Sequence, residues 1–163
     1  MKTLLILRHA KSSWDDPDLS DIDRPLNKRG KRDAPRVGQR LRQQDLVPDL
    51  ILSSPARRAR QTAEAVALES GFGGDIEIRT DFYPGEPEDY LENLGQLPDE
   101  VELVMVVGHN PGLEALLVEL TGESAALPTA ALAQVEIPIQ TWDAFGEAPE
   151  GKLINLWRVK EMD

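Results

Sequence analysis

The sequence predicts an α/β fold with a largely parallel central sheet and helices on both faces. Three observations predict it. Strand-like apolar runs alternate with helix-like segments along the chain. Residues 101–107 are apolar throughout except Glu102, as a parallel strand covered on both faces must be. Proline and glycine stand where helices start and stop.

Taken in order, residues 3–7 are a short aliphatic run and read as a buried strand. Residues 15–23 form a polar, aspartate-rich loop. Asn27 caps a helix to about Gln44, and Pro35 inside it calls for a kink or break near Ala34. Residues 49–52 are a second strand. Ser54 as N-cap and Pro55 as first helical residue open a helix to about Glu69, which residues 71–74 end. Residues 76–78 are a weak third strand, and a short helix runs from Glu86 or Pro87 to about Gly95. After the strand at 101–107, Asn110 and Pro111 repeat the cap-plus-proline start of a helix to about Thr121. Residues 132–137 and 152–159 are the last strands. A Gly/Pro-containing loop joins them without a helix, so an antiparallel member is expected. With no internal repeat and no long linker, a single domain over residues 1–163 is expected.

Composition excludes several classes. There is no cysteine, which removes disulfide scaffolds, thiol nucleophiles and thiolate metal sites. The first apolar run is too short for a signal-peptide core or a membrane span, so a cytoplasmic protein without membrane contact is expected. A net charge of -11 argues against nucleic-acid binding. The charge is unevenly spread: residues 1–60 carry 14 basic and 8 acidic side chains, the remainder 4 and 21. A basic N-terminal part in an acidic chain is a solvated helix face over residues 28–42, or a focus for an anionic substrate.

Three of the expected strands end on reactive side chains. The first is followed by Arg8 and His9. The second is followed by Ser53, Ser54 and Pro55, with Arg57 and Arg58 one turn into the helix. The fourth is followed by Gly108, His109 and Asn110. Open α/β sheets bind ligands beyond the carboxyl ends of their strands, and both histidines of the chain stand there. Neutral imidazole is a nucleophile that forms covalent phosphoryl intermediates. Guanidinium groups clamp phosphate through paired, charge-assisted bonds. The histidines show no metal-ligand spacing, so neither a metal nor another cofactor is expected.

Leu7-Arg8-His9-Ala10 resembles the signature of the histidine phosphatase superfamily, the phosphoglycerate mutase-like fold. Residues 53–63 are similar to its second motif, in which the arginine before the alanine enters the pocket, and that selects Arg58 over Arg57. Val107-Gly108-His109-Asn110-Pro111-Gly112 resembles its second-histidine motif. Residues 8–14, 23–27 and 127–131 resemble the short SixA-type phosphohistidine phosphatases. The resemblance implies a three-layer fold. It also implies a metal-independent phosphatase with His9 as nucleophile and Arg8, Arg58 and His109 around the phosphate. The implied substrate is a phosphorylated protein carrying phosphohistidine, or a small phosphorylated molecule on the same machinery. A binding module that holds phosphorylated ligands without turnover is the third reading. A monomer is expected.

Further expectations concern the rim and the leaving group. Lys11, Ser12 and Trp14 line the pocket rim or lie on a surface loop. Arg57 is a solvated helix residue paired with Gln61 or Glu64, and Ser53 and Ser54 serve as capping groups. Superfamily members often place a leaving-group acid after the third strand, where this chain has Pro84. Glu86, Glu88 and Asp89 are the only candidates to replace it, Glu88 and Asp89 being alternatively first-turn helix acids, and no general acid is assigned.

Overall fold

A computed structural model describes residues 1–146 and 150–162. Residues 147–149 of the last expected loop, and the final residue, lie outside the described residues. The strands are β1 (Lys2–Arg8), β2 (Leu50–Ser53), β3 (Ile76–Ile78), β4 (Leu103–Gly108), β5 (Leu132–Ile137) and β6 (Lys152–Trp157). The helices are α1 (Lys28–Gln43), α2 (Arg57–Ser70), α3 (Pro87–Leu94) and α4 (Gly112–Thr121).

The strands form one sheet in the order β3-β2-β4-β1-β5-β6. β1 pairs parallel with β4, and β2 pairs parallel with both β4 and β3. β5 runs antiparallel to β1 and to β6, and is the antiparallel member expected from the missing helix.

Side-chain alternation along the strands builds a core on each face. Leu4 and Ile6 of β1, with Val104 and Val106 of β4, pack in one cluster with Leu94 of α3 and Leu113, Leu116 and Leu117 of α4. Leu5 and Leu7, with Met105 and Val107, pack in the other with Val37 and Leu41 of α1 and Ala59, Ala63 and Val66 of α2. The result is three layers: α1 and α2, the sheet, then α3 and α4. β1 and β4 lie in the middle of the sheet with core on both faces, which is why residues 4–7 and 103–107 are apolar throughout.

Asn27 caps α1 by accepting from the Gly30 N–H at 2.9 Å. The break expected at Pro35 does not occur, and α1 is continuous from Lys28 to Gln43. A mid-helix proline costs about 3 kcal/mol. Burying Val37 and Leu41 contributes roughly 1.5–3 kcal/mol each and offsets it. Two other helix starts also depart from expectation. α2 begins at Arg57 rather than Pro55, and α4 at Gly112 rather than Pro111. Gly71, at φ 84°, ends α2 in the left-handed conformation.

Candidate active site

Register brings the two histidines together. Arg8, the last residue of β1, pairs with Gly108, the last residue of β4. His9 and His109 therefore leave neighbouring strands side by side, with ring centroids 5.1 Å apart. The His9 N–H continues the ladder to the Gly108 carbonyl at 3.2 Å. Gly108 is required here, because a Cβ at this position would collide with the Tyr90 hydroxyl of α3.

α2 fixes the same corner from the other side. The Ala10 N–H donates to Thr62 Oγ1 at 3.0 Å, and Thr62 Oγ1 donates to the Arg58 carbonyl at 2.7 Å. Thr62 is thus one helical turn from Arg58 and ties the arginine's helix to the loop after His9. Gln61 holds the neighbouring loop, accepting from the Leu26 N–H at 2.8 Å.

These elements enclose a cavity of about 400 Å³ at the carboxyl ends of β1 and β4. All four residues singled out from the sequence, Arg8, His9, Arg58 and His109, line it. Lys11, Ser12 and Trp14 line it as well, which places them at the pocket. Arg57 is exposed and Arg58 buried, as the helix rotation requires. Arg57 is solvated as expected, but its expected pairing with Gln61 or Glu64 is not seen among the described residues, and Gln61 Oε1 accepts from the Leu26 N–H instead.

His9 is buried, and its Nδ1 lies 2.8 Å from the Ala10 carbonyl. A carbonyl only accepts, so Nδ1 carries the proton and Nε2 keeps its lone pair. Burial, followed by the charges of His109, Arg58 and Arg8, pushes the ring down to about 3. The backbone hydrogen bond works in the opposite sense and does not offset this. His9 is therefore a neutral imidazole at neutral pH, with an available nitrogen in a cation-lined cavity.

His109 is also buried, and burial with Arg58 pushes it down to about 4. Its Nε2 lies 2.7 Å from Ser54 Oγ, which accepts from the Ala56 N–H at 3.1 Å. The Ser54 hydroxyl donates to Nε2 when the ring carries its proton on Nδ1 and accepts from Nε2 in the other tautomer, so the pair is bonded in either form of the neutral ring. Ser54 is a positioning group behind His109 rather than the helix cap expected for it. Its own N–H bonds the Val107 carbonyl at 2.9 Å, so the backbone at Ser54 is still part of the sheet. Ser53 is likewise no cap, since its hydroxyl donates to the Ser54 carbonyl at 3.0 Å. Asn110 does not cap α4 either: its buried Oδ1 accepts from no group among the described residues, while its Nδ2 donates to the Leu127 carbonyl at 2.8 Å.

Arg8 donates from Nη1 to the same Leu127 carbonyl at 3.1 Å, while its buried Nε has no partner among the described residues. Burial draws its guanidinium below the ordinary value, against the pull of Glu114. Arg58 donates from Nη1 to the Asp21 carbonyl at 2.7 Å and from Nη2 to Asp21 Oδ2 at 3.0 Å.

Asp21 is a pocket residue that sequence reasoning missed. It also accepts from the Tyr83 hydroxyl at 2.7 Å and from Arg24 Nη1 at 2.8 Å. The Tyr83 bond, then Arg58 and Arg24, hold its carboxyl down to about 2. Arg24 and Tyr83 were missed with it. Arg24 is buried, bonds Ser12 Oγ and the Ser13 carbonyl, and lies 3.3 Å from the centre of the Trp14 ring. Tyr83 stands edge-on to His109 at 5.6 Å. The signal for Arg24 was present in the 23–27 motif, but nothing local gave it or Asp21 a role.

The three acids expected to replace Pro84 do not line the cavity. Glu86 and Asp89 form the capping box of α3, with the Glu86 N–H donating to Asp89 Oδ2 at 2.8 Å, and Glu88 is exposed. Glu88 and Asp89 are first-turn helix acids, and Glu86 is the N-cap of α3. Pro84 itself lines the cavity, and Asp21 is the only carboxylate that does so among the described residues. No group of three or more His, Asp or Glu side chains that could hold a metal ion occurs among the described residues. No described helix is long and apolar enough to cross a membrane.

The sheet order and the two histidines at paired strand ends are those of a phosphoglycerate mutase-like phosphatase fold. Residues 4–83 match the histidine phosphatase superfamily, branch 1. A SixA-type structure from Agrobacterium tumefaciens is 34% identical, with a TM-score of 0.81 over 96% of this chain and 97% of that one. The protein histidine phosphatase SixA, solved with tungstate, is 26% identical, with a TM-score of 0.85 over 99% of both chains. An uncharacterised chloroplastic protein of Arabidopsis thaliana is 36% identical over 154 residues, 87% of this chain and 69% of its own. The chain belongs to the histidine phosphatase superfamily and is of the SixA type.

Proposed function

We propose that this protein removes phosphate from phosphohistidine on other proteins, by way of a phosphohistidine formed on His9. The observation that carries this reading is the state of the one pocket carboxylate. Asp21 is held as an ionised carboxylate by three donors, and Pro84 stands where a leaving-group acid is often found. A leaving group in this pocket departs without a proton from a carboxylic acid.

Phosphohistidine suits that restriction. When the distal ring nitrogen of the substrate carries a proton, the leaving group is neutral imidazole. His9 Nε2 attacks phosphorus, the substrate P–N bond breaks, and its electron pair returns to the substrate ring. Arg8, Arg58 and His109 bear on the charge of the transferring phosphoryl oxygens. Water then attacks phosphorus on His9, the second P–N bond breaks, and the water's proton leaves through solvent. Inorganic phosphate and free His9 result. An alkyl ester lacks this route, since its alkoxide needs protonation, and general-acid help is typically worth about 10²–10⁴-fold. SixA bound to tungstate, an oxyanion of phosphate-like shape, supports an oxyanion site in this cavity.

The test is a substrate panel: a phosphohistidine-bearing carrier protein, an aryl phosphate series and alkyl phosphates. The carrier protein should be turned over fastest. Single-turnover phosphorylation of His9 should depend steeply on leaving-group pKa across the aryl series. A flat dependence, or preference for an alkyl ester, overturns the reading.

A further inference from the structure

A second groove adjoins the phosphate cavity. Lys11, Ser12 and Trp14 line both, and Asn27, Lys28 and Arg29 complete the second. Its walls are two chain segments held against each other. The Ser13 N–H donates to the Pro25 carbonyl at 2.8 Å, and the Asn27 N–H donates to the Lys11 carbonyl at 3.0 Å. Ser12 and Leu26 form an isolated antiparallel bridge. Gly30 packs so closely on the Lys11 carbonyl that a Cβ there would collide with it. The first turn of α1 is therefore docked rigidly beside the site.

The charge of that turn is opposite to what helix stability selects. α1 opens with Lys28, Arg29, Lys31 and Arg32 and has no acid in its first turn. Cations at a helix N-terminus are disfavoured by the helix dipole. Lys11 and Lys28 have no ion-pair partner among the described residues, although Asp15 also lines the groove. Arg29 reaches Asp33 only at 3.5 Å and shares that carboxylate with Arg32 and Arg36. Positive charge is thus left exposed on a chain whose net charge is -11. Trp14 stands at the junction of the two cavities, 72% exposed, with one ring face against Arg24. Its edge and other face project from the rim.

We propose that this groove docks an acidic segment of the substrate protein, next to the residue whose phosphate enters the cavity. The inference rests on the phosphoprotein reading above and adds the character of the partner's surface. An acidic partner is repelled by most of this molecule and attracted here, which orients the encounter. Trp14 supplies an amphipathic contact surface that the bare charges lack.

The experiment has two arms. In the first, a fluorescein-labelled decapeptide rich in Asp and Glu is titrated into wild type and into the double variant Lys28→Glu, Arg29→Glu at low salt. Neither residue lines the phosphate cavity, and acids at these positions suit the helix dipole, so the variant should melt no lower than wild type. Peptide affinity should fall by about tenfold or more in the variant and in raised salt. Equal binding by both proteins, no binding by wild type, or tighter binding of an oligonucleotide of the same charge overturns the proposal. In the second arm, the variant should keep its turnover of an aryl phosphate. Its KM for a phosphohistidine protein with an acidic flank should rise by a similar factor at unchanged kcat. A failure of wild type to act on any phosphohistidine protein counts against the function reading, while the peptide arm still decides the docking surface.

Discussion

Asp21 holds Arg58 by two bonds, its backbone carbonyl accepting from Nη1 at 2.7 Å and its carboxylate from Nη2 at 3.0 Å. The arginine is thereby pre-aimed by a loop that belongs to neither of the strands carrying the histidines. Asp21→Asn removes the charge that holds it. We expect kcat/KM to fall by about tenfold, as misplacement of a clamp does, and Asp21→Glu to recover part of the loss. The pH dependence of stability separates this from a general structural effect. The folded carboxyl is depressed to about 2 from an ordinary value near 3.8. Its stabilisation is present above the unfolded value and is lost as pH falls through the folded one. The difference in Tm between wild type and Asp21→Asn should be constant above about pH 5 and shrink towards pH 2. A difference that grows on acidification contradicts the ionised pairing.

His9 should titrate far below a free histidine. In the unliganded protein, the NMR titration of its ring should have a midpoint near 3. A midpoint near 6.5 would show that burial does not govern it. Between these values the unfolded chain binds a proton that the folded one excludes, so His9 makes stability rise with pH across that window and level off above it. Rapid quenching during turnover should trap acid-labile, base-stable phosphate on His9, and His9→Ala should abolish turnover. Label on a serine refutes the mechanism.

The paired arginines should differ sharply. Arg58 is buried in the pocket wall and Arg57 is exposed. Arg58→Ala should cost on the order of 2–4 kcal/mol of transition-state stabilisation, or tenfold to a thousandfold in rate. Arg57→Ala should be nearly silent. Equal effects on kcat/KM would place the helix wrongly.

Exhaustive chelation should leave the rate unchanged. Among the described residues the cavity offers cationic and neutral nitrogen groups and one carboxylate, already engaged by three donors, which suits an oxyanion better than a metal ion. A large loss restored by zinc, magnesium or manganese overturns this.

The strands and the two histidines were legible in the sequence because the signals are local. A buried aliphatic run stops, and a polar residue follows at the open edge of the sheet. The helix starts after β2 and β4 were misread for a reason equally local in kind. Serine or asparagine followed by proline is a cap signal, but Ser54 Oγ is turned to His109 Nε2, and Asn110 is turned so that its Nδ2 donates to the Leu127 carbonyl while its Oδ1 accepts from no described group. The same small polar residues that suit a cap also suit the back wall of a site, and sequence pattern does not separate the two. Asp21 lay beyond reach altogether. It is one of five aspartates between residues 15 and 23, and its partners Arg58 and Tyr83 lie 37 and 62 positions away. Only the closed fold selects it. The leaving-group candidates failed because Glu86 and Asp89 satisfy each other in a capping box, which needs nothing from the site.

The pairing of Arg8 with Gly108 also sets when the protein becomes competent. The central strand of the sheet is made first but waits for a neighbour that emerges about a hundred residues later, and β5, its other neighbour, comes later still. Arg58 is in place only once β2 has joined β4. A chain still emerging from the ribosome therefore holds all of its chemistry in pieces. Recovery of activity on refolding should report the seating of β1 between β4 and β5.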